Sequence, residues 1–282
     1  MIWQTSRFRI DLTQPRVMGI VNVTPDSFSD GGRFALADAA RAHCDRLVEQ
    51  GADILDVGGE STRPGAEPAS EADEIARVVP VIASLRRETA LPISVDTMKP
   101  AVACAAFAAG ATMWNDVTAL SWSPDSLAAA ADLDGAVVLM HMQGDPRTMQ
   151  AEPTYGDVVA EVAAFLAARS EVALAAGVDR TNIWIDPGIG FGKTLAHNLA
   201  LLANLHRLVA LGFPVLLGVS RKGFIRRLDP TAKTADDRLG GSLAAALAGA
   251  RAGVAAIRVH DVRETVQTLA MQAAIGEAAS HG

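Results

Sequence analysis

Short apolar runs alternate with longer amphipathic segments along this chain, and eight of the runs end in a polar or charged residue. The eight runs cover residues 17–21, 54–57, 92–95, 112–114, 136–140, 183–185, 215–219 and 254–257. Short runs rich in β-branched residues predict buried strands, and apolar residues spaced three or four apart between them predict helices. Eight strand–helix units predict an α/β fold, a single (β/α)8 TIM barrel, with functional residues gathered at the carboxyl ends of its strands.

Glycine marks the return from helix to strand in this pattern. A glycine shortly before a predicted strand occurs at Gly51, Gly110, Gly177, Gly212 and Gly253. Helices commonly end on a glycine with a left-handed backbone, so this recurrence predicts the repeated order helix, glycine, strand.

Two of the predicted strands are followed by segments that are too long for simple turns. Residues 24–34 and 58–70 are both rich in Gly, Ser, Pro and Asp. Long loops at a barrel mouth are commonly functional, so we expect long mobile loops after strands 1 and 2. Since no linker composition divides the chain, we expect a single domain of residues 1–282, with residues 1–14 as a short N-terminal extension.

Composition narrows the class of protein. The 282 residues are 50% hydrophobic but only 5% aromatic, which suits one barrel with an aliphatic core. The net charge of −7, without a basic block, argues against a nucleic-acid partner. With no signal-peptide pattern and no apolar segment near the ~20 residues that cross a bilayer, we expect no membrane association and a cytoplasmic location. Cys44 and Cys104 lie in alanine-rich helical patterns, where we expect buried, inert thiols.

Polar residues at four strand ends indicate one ligand site. Carboxylates that accept paired N–H bonds, with a lysine opposite, suit an amide-bearing heterocycle. The candidates are Asp96, Asn115, Asp186 and Lys222. Two alternatives stay open. Each Asp or Asn is also a favourable cap for the helix after its strand, and the same carboxylates suit a divalent-metal cage. The first strand offers Asn22 rather than the histidines of metal-dependent barrel hydrolases, which disfavours the cage.

The last predicted strand carries a second cluster. Strand alternation places Arg258 and His260 on the same side, where together they suit an anion such as a phosphate. The alternative is a surface ion pair between Arg258 and Asp261 or Glu264. Asn22 and Thr62 are placed to face the same anion from the other side, and Ser220, before a predicted helix start, to receive a carboxylate.

Two further motifs carry no assigned role. Residues 188–194, GIGFGKT, resemble a phosphate-binding loop, but the position of its first glycine is held by Pro187. His141 lies between two methionines, where a structural role is the more frequent one.

Several of these segments resemble the signatures of the dihydropteroate synthases, a family of pterin-binding enzymes in folate (tetrahydrofolate) biosynthesis. The first is residues 18–32, MGIVNVTPDSFSDGG, and the second is residues 56–65, DVGGESTRPG. Shorter matches follow at residues 94–97, 115–117, 140–144 with 148–150, 186–193, 220–222 and 258–260. The resemblance runs from about residue 15 to the C-terminus in unbroken order, and signatures this long are highly specific.

The resemblance implies a transferase that condenses 6-hydroxymethyl-7,8-dihydropterin diphosphate with p-aminobenzoate, giving 7,8-dihydropteroate and pyrophosphate. It implies a pterin pocket of Asp96, Asn115, Asp186 and Lys222. It implies a diphosphate site of Asn22, Thr62, Arg258 and His260, with Asn22 also a ligand of Mg2+, the expected cofactor. It implies a p-aminobenzoate site of Thr62, Arg63, Pro64, Phe28, Phe191, Ser220 and Arg221. It also implies a homodimer and, from Phe28 and Pro64, a sulfonamide target.

Two other functions remain as alternatives. One is a methyltransferase that passes a methyl group from methyltetrahydrofolate to a corrinoid, which shares the pterin carboxylates but has no need of the 61–64 loop or the 258–260 cluster. The other is a non-catalytic pterin-binding paralogue that acts as a regulatory module, whose mark would be degenerate loops. Both loops are intact in this sequence, which favours the synthase.

Overall fold

The structure, a computed structural model, describes residues 1–5, 7–24, 33–60, 68–144 and 148–280. Its strands are β1 (Ile2–Gln4), β2 (Arg9–Asp11), β3 (Arg16–Asn22), β4 (Ile54–Gly58), β5 (Ile93–Asp96), β6 (Met113–Asp116), β7 (Ala136–Met140), β8 (Ile183–Asp186), β9 (Leu216–Gly218) and β10 (Ala256–Val259). Its helices are α1 (Arg33–Glu49), α2 (Glu71–Glu88), α3 (Pro100–Ala109), α4 (Ser126–Asp132), α5 (Val158–Ala175), α6 (Leu195–Ala203), α7 (Leu205–Val209), α8 (Gly223–Leu228), α9 (Leu239–Ala252) and α10 (Val262–Ser280).

The strands β3 to β10 form one parallel sheet that closes into a barrel. Their order is β8-β7-β6-β5-β4-β3-β10-β9, so neighbours in the chain are neighbours in the sheet. A parallel bridge from Ile185 to Val215, with the Ile185 N–H donating to the Pro214 carbonyl at 3.0 Å, joins β8 to the start of β9. The predicted (β/α)8 TIM barrel is therefore confirmed, with the last two strands shifted by one or two residues from the apolar runs.

The predicted glycine stops are confirmed by the backbone. A left-handed φ, between +79° and +116°, occurs at Gly51, Gly110, Gly177, Gly212 and Gly253. At Gly110, for example, the N–H donates to the carbonyl of Phe107 and so ends α3. Because a Cβ at such an angle is strained, each glycine lets its helix stop and the chain turn back into the barrel.

The N-terminal extension forms a hairpin that covers the end of the barrel opposite the strand carboxyl ends. Strands β1 and β2 pair antiparallel, and Trp3 packs edge-on against Trp184 with ring centroids 5.3 Å apart. Both indoles are fully buried, beside the first residues of β4, β6 and β7. The hairpin therefore closes the lower end of the barrel, and ligands must enter from the upper end.

Of the two cysteines predicted to be buried, one is buried and one is exposed. Cys44 is buried as expected, but Cys104 is exposed, so its predicted burial is wrong. The small residues of α3 give little indication of which face of the helix is buried. Val102, Ala103 and Ala106 are its buried residues.

Among the described helices, none is both long and apolar enough to cross a membrane. The expected loops of residues 24–34 and 58–70 lie largely outside the described residues, and the single-domain assignment stays a prediction.

Candidate active site

A small, deep pocket lies at the carboxyl ends of the barrel strands. Its charged and polar lining comes from Asp96, Asn115, Asp186, Lys222 and Arg258. Its apolar walls include Val117, Met140, Ile189 and Phe191. The structure therefore brings together all four residues predicted to hold a heterocycle and adds Arg258, which was predicted for an anion.

A much larger cavity of about 910 Å³ opens above the deep pocket and shares its walls at Asp96, Phe191, Lys222 and Arg258. The remaining described candidates all line it, namely Asn22, Ser220, Arg221 and His260. The four other predicted site residues, Phe28, Thr62, Arg63 and Pro64, lie outside the described residues, so their roles stay predictions.

The guanidinium of Arg258 joins two carboxylates across the barrel. Its Nε donates to Asp56 Oδ2 at 2.5 Å, and its Nη2 donates to Asp96 Oδ2 at 2.7 Å. The Asn115 amide also donates to Asp56 Oδ2, at 3.3 Å. Although burial opposes the charge, Asp56 and Asp96 hold the pKa of Arg258 above its usual value. Arg258 thus lies on the boundary between the deep pocket and the large cavity with its charge fixed.

Asp56 is a residue of this site that the sequence reasoning missed. It lies in the middle of β4 with no exposed surface, and its Oδ1 has no hydrogen-bond partner among the described residues. Buried carboxylates are rarely retained without a charged partner. An aspartate inside the apolar run 54–57 was the available signal, because a charge in a buried strand implies a cation opposite it.

Two of the pocket carboxyls are hard to ionise. Burial raises the pKa of Asp96 to about 7; Arg258 opposes this, while Asp56, Glu74 and Asp116 add to it. Burial also raises the pKa of Asp186 to about 6, against a hydrogen bond from the Gly188 N–H. Both carboxyls therefore titrate near neutrality, where an N–H-bearing ligand stabilises the ionised form.

Lys222 lines the deep pocket together with the two carboxyls. Its ammonium lies 4.3 Å from the centre of the Phe191 ring, a cation–π distance. Burial lowers the pKa of Lys222 to about 8, although Asp186 pulls it upward. The lysine therefore keeps its charge at neutral pH and faces ligands as a donor beside an aromatic wall.

His260 is neutral in this arrangement. Burial, together with the charges of Arg258 and Arg221, lowers its pKa to about 3. Ser220 Oγ accepts the His260 backbone N–H at 3.1 Å, so its own hydroxyl proton is free to donate to His260 Nδ1, 3.0 Å away. This assigns the ring proton to Nε2. The expected anion contact of His260 is therefore that of a hydrogen-bond donor rather than a cation.

Arg221 is engaged by two carboxylates at the cavity rim. Its Nε and Nη2 donate to Asp261 at 3.0 and 2.5 Å, and its Nη1 donates to Asp236. Its backbone is left-handed at φ 56°. The Arg221 charge is therefore largely balanced by its own neighbours.

The contacts of Asp186, Asn115 and Arg258 distinguish between the alternatives that the sequence leaves open. Asp186 does not cap a helix: it accepts the N–H of Gly188 at 2.6 Å, in the turn after β8. The Asn115 amide donates to Asp56 rather than capping a following helix. The proposed Arg258–Asp261 or Arg258–Glu264 surface pair is wrong, since Arg258 turns into the barrel and Asp261 pairs with Arg221. Among the described residues, no group of three His, Cys, Asp or Glu side chains is arranged to hold a metal ion.

A second buried ion cluster supports the rim after β4. Lys99 donates to Glu60 at 2.5 Å and to Glu74 at 2.6 Å, and all three side chains are at most 9% exposed. Glu60 also accepts the N–H of Ala69 at 3.2 Å and lines the large cavity. This cluster ties the segment after β4 to α2 and to the N-terminus of α3.

Together these contacts describe a site in two parts. The deep pocket presents carboxylates, an amide and an ammonium to a small polar ring, and the large cavity presents a fixed guanidinium and a neutral imidazole donor. Such an arrangement suits a polar heterocycle joined to an anion, with room beside the junction for a second molecule.

Comparison with known proteins agrees with this description. Residues 18–260 match the family model described as pterin binding enzyme. The dihydropteroate synthase of Neisseria meningitidis serogroup B is 48% identical over 280 residues, covering 98% of this chain and 98% of that protein. The solved Xanthomonas albilineans dihydropteroate synthase with 4-aminobenzoic acid is 51% identical with a TM-score of 0.91, covering 98% of this chain and 99% of that one. The same bacterium's enzyme in complex with 7,8-dihydropteroate is 49% identical with a TM-score of 0.88, again covering 98% and 99%.

Proposed function

This chain belongs to the pterin-binding enzymes and, within them, to the dihydropteroate synthases; from that premise we propose that it condenses 6-hydroxymethyl-7,8-dihydropterin diphosphate with p-aminobenzoate, releasing pyrophosphate. One observation carries the proposal beyond family membership. The deep pocket and the large cavity meet at Arg258, so a ring in the first and an anion in the second are held by one continuous set of side chains.

The pterin ring binds in the deep pocket, where the side chains of Arg258 and Asp96 now bond to each other. Within this pocket the Arg258 guanidinium donates to Asp96 Oδ2 at 2.7 Å, so that carboxylate oxygen is already engaged where the ring would bind. Ring binding therefore moves the Arg258 guanidinium away from Asp96, which then accepts ring N–H groups. Asp56 keeps its bond to Arg258 during this exchange, so the guanidinium stays charged and close to the junction.

Departure of the diphosphate is assisted by the residues of the large cavity. The bond from the methylene carbon to the diphosphate oxygen breaks, and its electron pair leaves with pyrophosphate. Arg258 and the Nε2–H of His260 are placed to stabilise that growing charge, the electrostatic effect that usually dominates such steps. Asp96 and Asp186 favour the electron-poor pterin fragment from the opposite side.

The side chains present fit the expected Mg2+. Asn22 ends β3 and lines the large cavity, and its amide makes no hydrogen bond to a described residue. Mg2+ commonly takes one or two protein oxygens and completes its shell with water and substrate phosphates, so a full protein cage is not required. Asn22 would hold the ion, which when bound would neutralise diphosphate charge.

The amine of p-aminobenzoate supplies the nucleophile. Its nitrogen forms the new bond to the methylene carbon and then loses a proton, so no side chain need form a covalent intermediate. Phe191 borders both the pocket and the cavity, and Ser220 lies with it on the wall of the cavity. The aryl ring therefore has an apolar face to stack on at the point where its amine meets the methylene carbon.

The direct test is pyrophosphate release measured with each substrate alone and with both together. We expect release to require both substrates and to accompany formation of 7,8-dihydropteroate, and we expect EDTA to lower the rate by at least about tenfold, with recovery on adding excess Mg2+. Tight pterin binding without release would favour a non-catalytic binding module. Methyl transfer from methyltetrahydrofolate to a corrinoid would instead favour the methyltransferase.

Pterin affinity should rise with pH. The pKa values of Asp186 and Asp96 are raised to about 6 and 7, and the ionised forms accept ring N–H groups. Protonation below those values removes acceptors, so affinity for 6-hydroxymethyl-7,8-dihydropterin should fall by up to about tenfold per pH unit for each group on going from about pH 8 to about pH 5. Isothermal titration calorimetry across this range measures it. The Asp186→Asn variant should flatten the profile at its acid end, and a flat parental profile would contradict the assignment.

Two features taken from the resemblance belong to the same proposal, a homodimer and a location in the cytoplasm. Light scattering coupled to size exclusion tests the first, and fractionation of the source cells tests the second.

A further inference from the structure

The turn at residues 188–193, here called the Phe191 turn, is built around one buried lysine. The Lys193 ammonium lies 2.9 to 3.3 Å from four acceptors, namely the carbonyls of Phe191, Gly188 and His141 and the Nδ1 of His141. Lys193 is 2% exposed. An ammonium has three protons, so these acceptors use its whole donor capacity and none is left for a substrate phosphate.

Burial of the Lys193 ammonium opposes folding. Among the described residues it forms no ion pair, and burial lowers its pKa to about 7, with Lys222 acting in the same direction and Asp186 against it. A buried cation that meets neutral acceptors without a carboxylate opposes folding unless its hydrogen bonds are well formed. Such a group is consistent with a requirement for shape that an apolar side chain would not satisfy.

Further hydrogen bonds and close backbone contacts also hold the Phe191 turn. Asn198 accepts the Gly190 N–H at 2.7 Å, and the Tyr155 hydroxyl donates to the Gly192 carbonyl at 2.8 Å. Gly188 and Gly192 have left-handed backbones, and a Cβ at either would lie within 2.4 Å of a carbonyl oxygen of the segment after β7. The turn and that segment are therefore in backbone contact, and Lys193 bonds to both of them.

We propose that Lys193 is a positioning residue that locks the Phe191 turn against the segment after β7 and thereby sets the Phe191 ring at the junction of the two pockets. The proposal rests on the proposed function, in which the arylamine must approach the methylene carbon at this junction. Phe191 lines both the deep pocket and the large cavity, with Lys222 over its face. A displaced ring would misplace the arylamine more than the pterin, which Asp96 and Asn115 hold from the other side.

The test compares Lys193→Met with the parent in two assays. Steady-state turnover gives kcat/KM for p-aminobenzoate at saturating pterin diphosphate, and calorimetry gives the Kd for 6-hydroxymethyl-7,8-dihydropterin alone. We expect kcat/KM for p-aminobenzoate to fall at least about tenfold, since small displacements of reacting groups are costly, while the pterin Kd changes less than about threefold. A merely structural loss would lower both together.

Matched variants keep the result interpretable. Lys233→Met removes an exposed lysine and should match the parent in both assays. Tyr155→Phe removes one hydrogen bond from the same turn and should lower kcat/KM for p-aminobenzoate about two- to threefold; it also serves if Lys193→Met fails to fold. Unchanged p-aminobenzoate kinetics in folded Lys193→Met, or equal losses for both ligands, would overturn the proposal. A parent enzyme that forms no dihydropteroate would instead overturn the proposed function.

Discussion

Replacing Arg258 with methionine should lower kcat by about 10³-fold or more, because the variant lacks the fixed charge that faces the departing diphosphate. The same change should lower the free energy of unfolding by about 3–5 kcal/mol, the usual cost of breaking a buried ion pair from one side. Asp56 is fully buried and would lose its charged partner, and Asp96 would face it across the barrel. Pyrophosphate release and urea unfolding measure the two effects.

Two companion variants separate charge from geometry. Arg251→Met removes an exposed arginine of α9 whose partner is Gln272, and we expect it to change stability by less than about 0.5 kcal/mol and leave turnover unchanged. Arg258→Lys keeps the charge, but an ammonium does not reproduce the planar fork that spans Asp56 and Asp96. It should fold and still lose about 10- to 100-fold in kcat, about 1.4 to 2.8 kcal/mol of barrier. Full activity in Arg258→Lys would show that the fork geometry is unimportant.

Replacing Asp96 with asparagine should lower kcat/KM for the pterin diphosphate by about 10²-fold. The amide keeps the shape of the side chain but loses a charge-assisted hydrogen bond, worth about 1.5–3 kcal/mol, and the through-space attraction for the electron-poor pterin fragment. Steady-state kinetics with p-aminobenzoate held at saturation measures this loss. Turnover within about threefold of the parent, under ~0.7 kcal/mol of barrier, would show that the Asp96 charge has no such role.

The stability of Asp96→Asn relative to the parent should depend on pH. The pKa of Asp96 is raised to about 7 in the folded protein, against 3.8 for the ordinary carboxyl, so the folded state holds the proton more tightly than the unfolded state. The stability that comes from this protonation is complete below about pH 4 and is lost as the pH rises through about 7. The variant cannot ionise at this position and does not lose this stability. The melting temperature of the variant minus that of the parent should therefore increase between about pH 5 and about pH 8. Asp132→Asn, at an exposed position on α4, should follow the parent at both pH values.

The strand ends are the part of the site that the sequence predicted well. Asp96, Asn115 and Asp186 were identified because each follows a short apolar run, and all three line the deep pocket. This succeeds because the period of a strand and the carboxyl-end rule of the barrel are local properties that the chain repeats eight times. The glycine stops were predictable for the same reason, since a helix end needs a left-handed residue whatever lies around it.

The ion pairs were not predictable, because they join residues far apart in the chain. Arg258 and Asp56 are separated by 202 positions, and sequence spacing alone suggested the nearby Asp261 as a partner. The neutral state of His260 is similar. It depends on burial and on the charges of Arg258 and Arg221, which the sequence places in the same region without giving a distance.

Lys193 is the clearest case in which the sequence context and the three-dimensional contacts of a residue differ. Its sequence context resembles a phosphate-binding loop, and only the three-dimensional arrangement shows that its ammonium is directed at carbonyl oxygens of two separate loops. The hairpin over the lower end of the barrel is a second case, since the short strands β1 and β2 carry little periodicity and are held by the contact of Trp3 with Trp184.

The sequence by itself thus determined the order of elements, the barrel and the set of side chains at its mouth, because these follow from local periodicity and from signatures read in order. The tertiary structure decided which charges meet, which groups are neutral and which lysine has its ammonium already bonded to acceptors within the protein. Those outcomes depend on distances and burial between residues that are remote in the chain, and electrostatic interactions are set by distance and burial rather than by sequence separation.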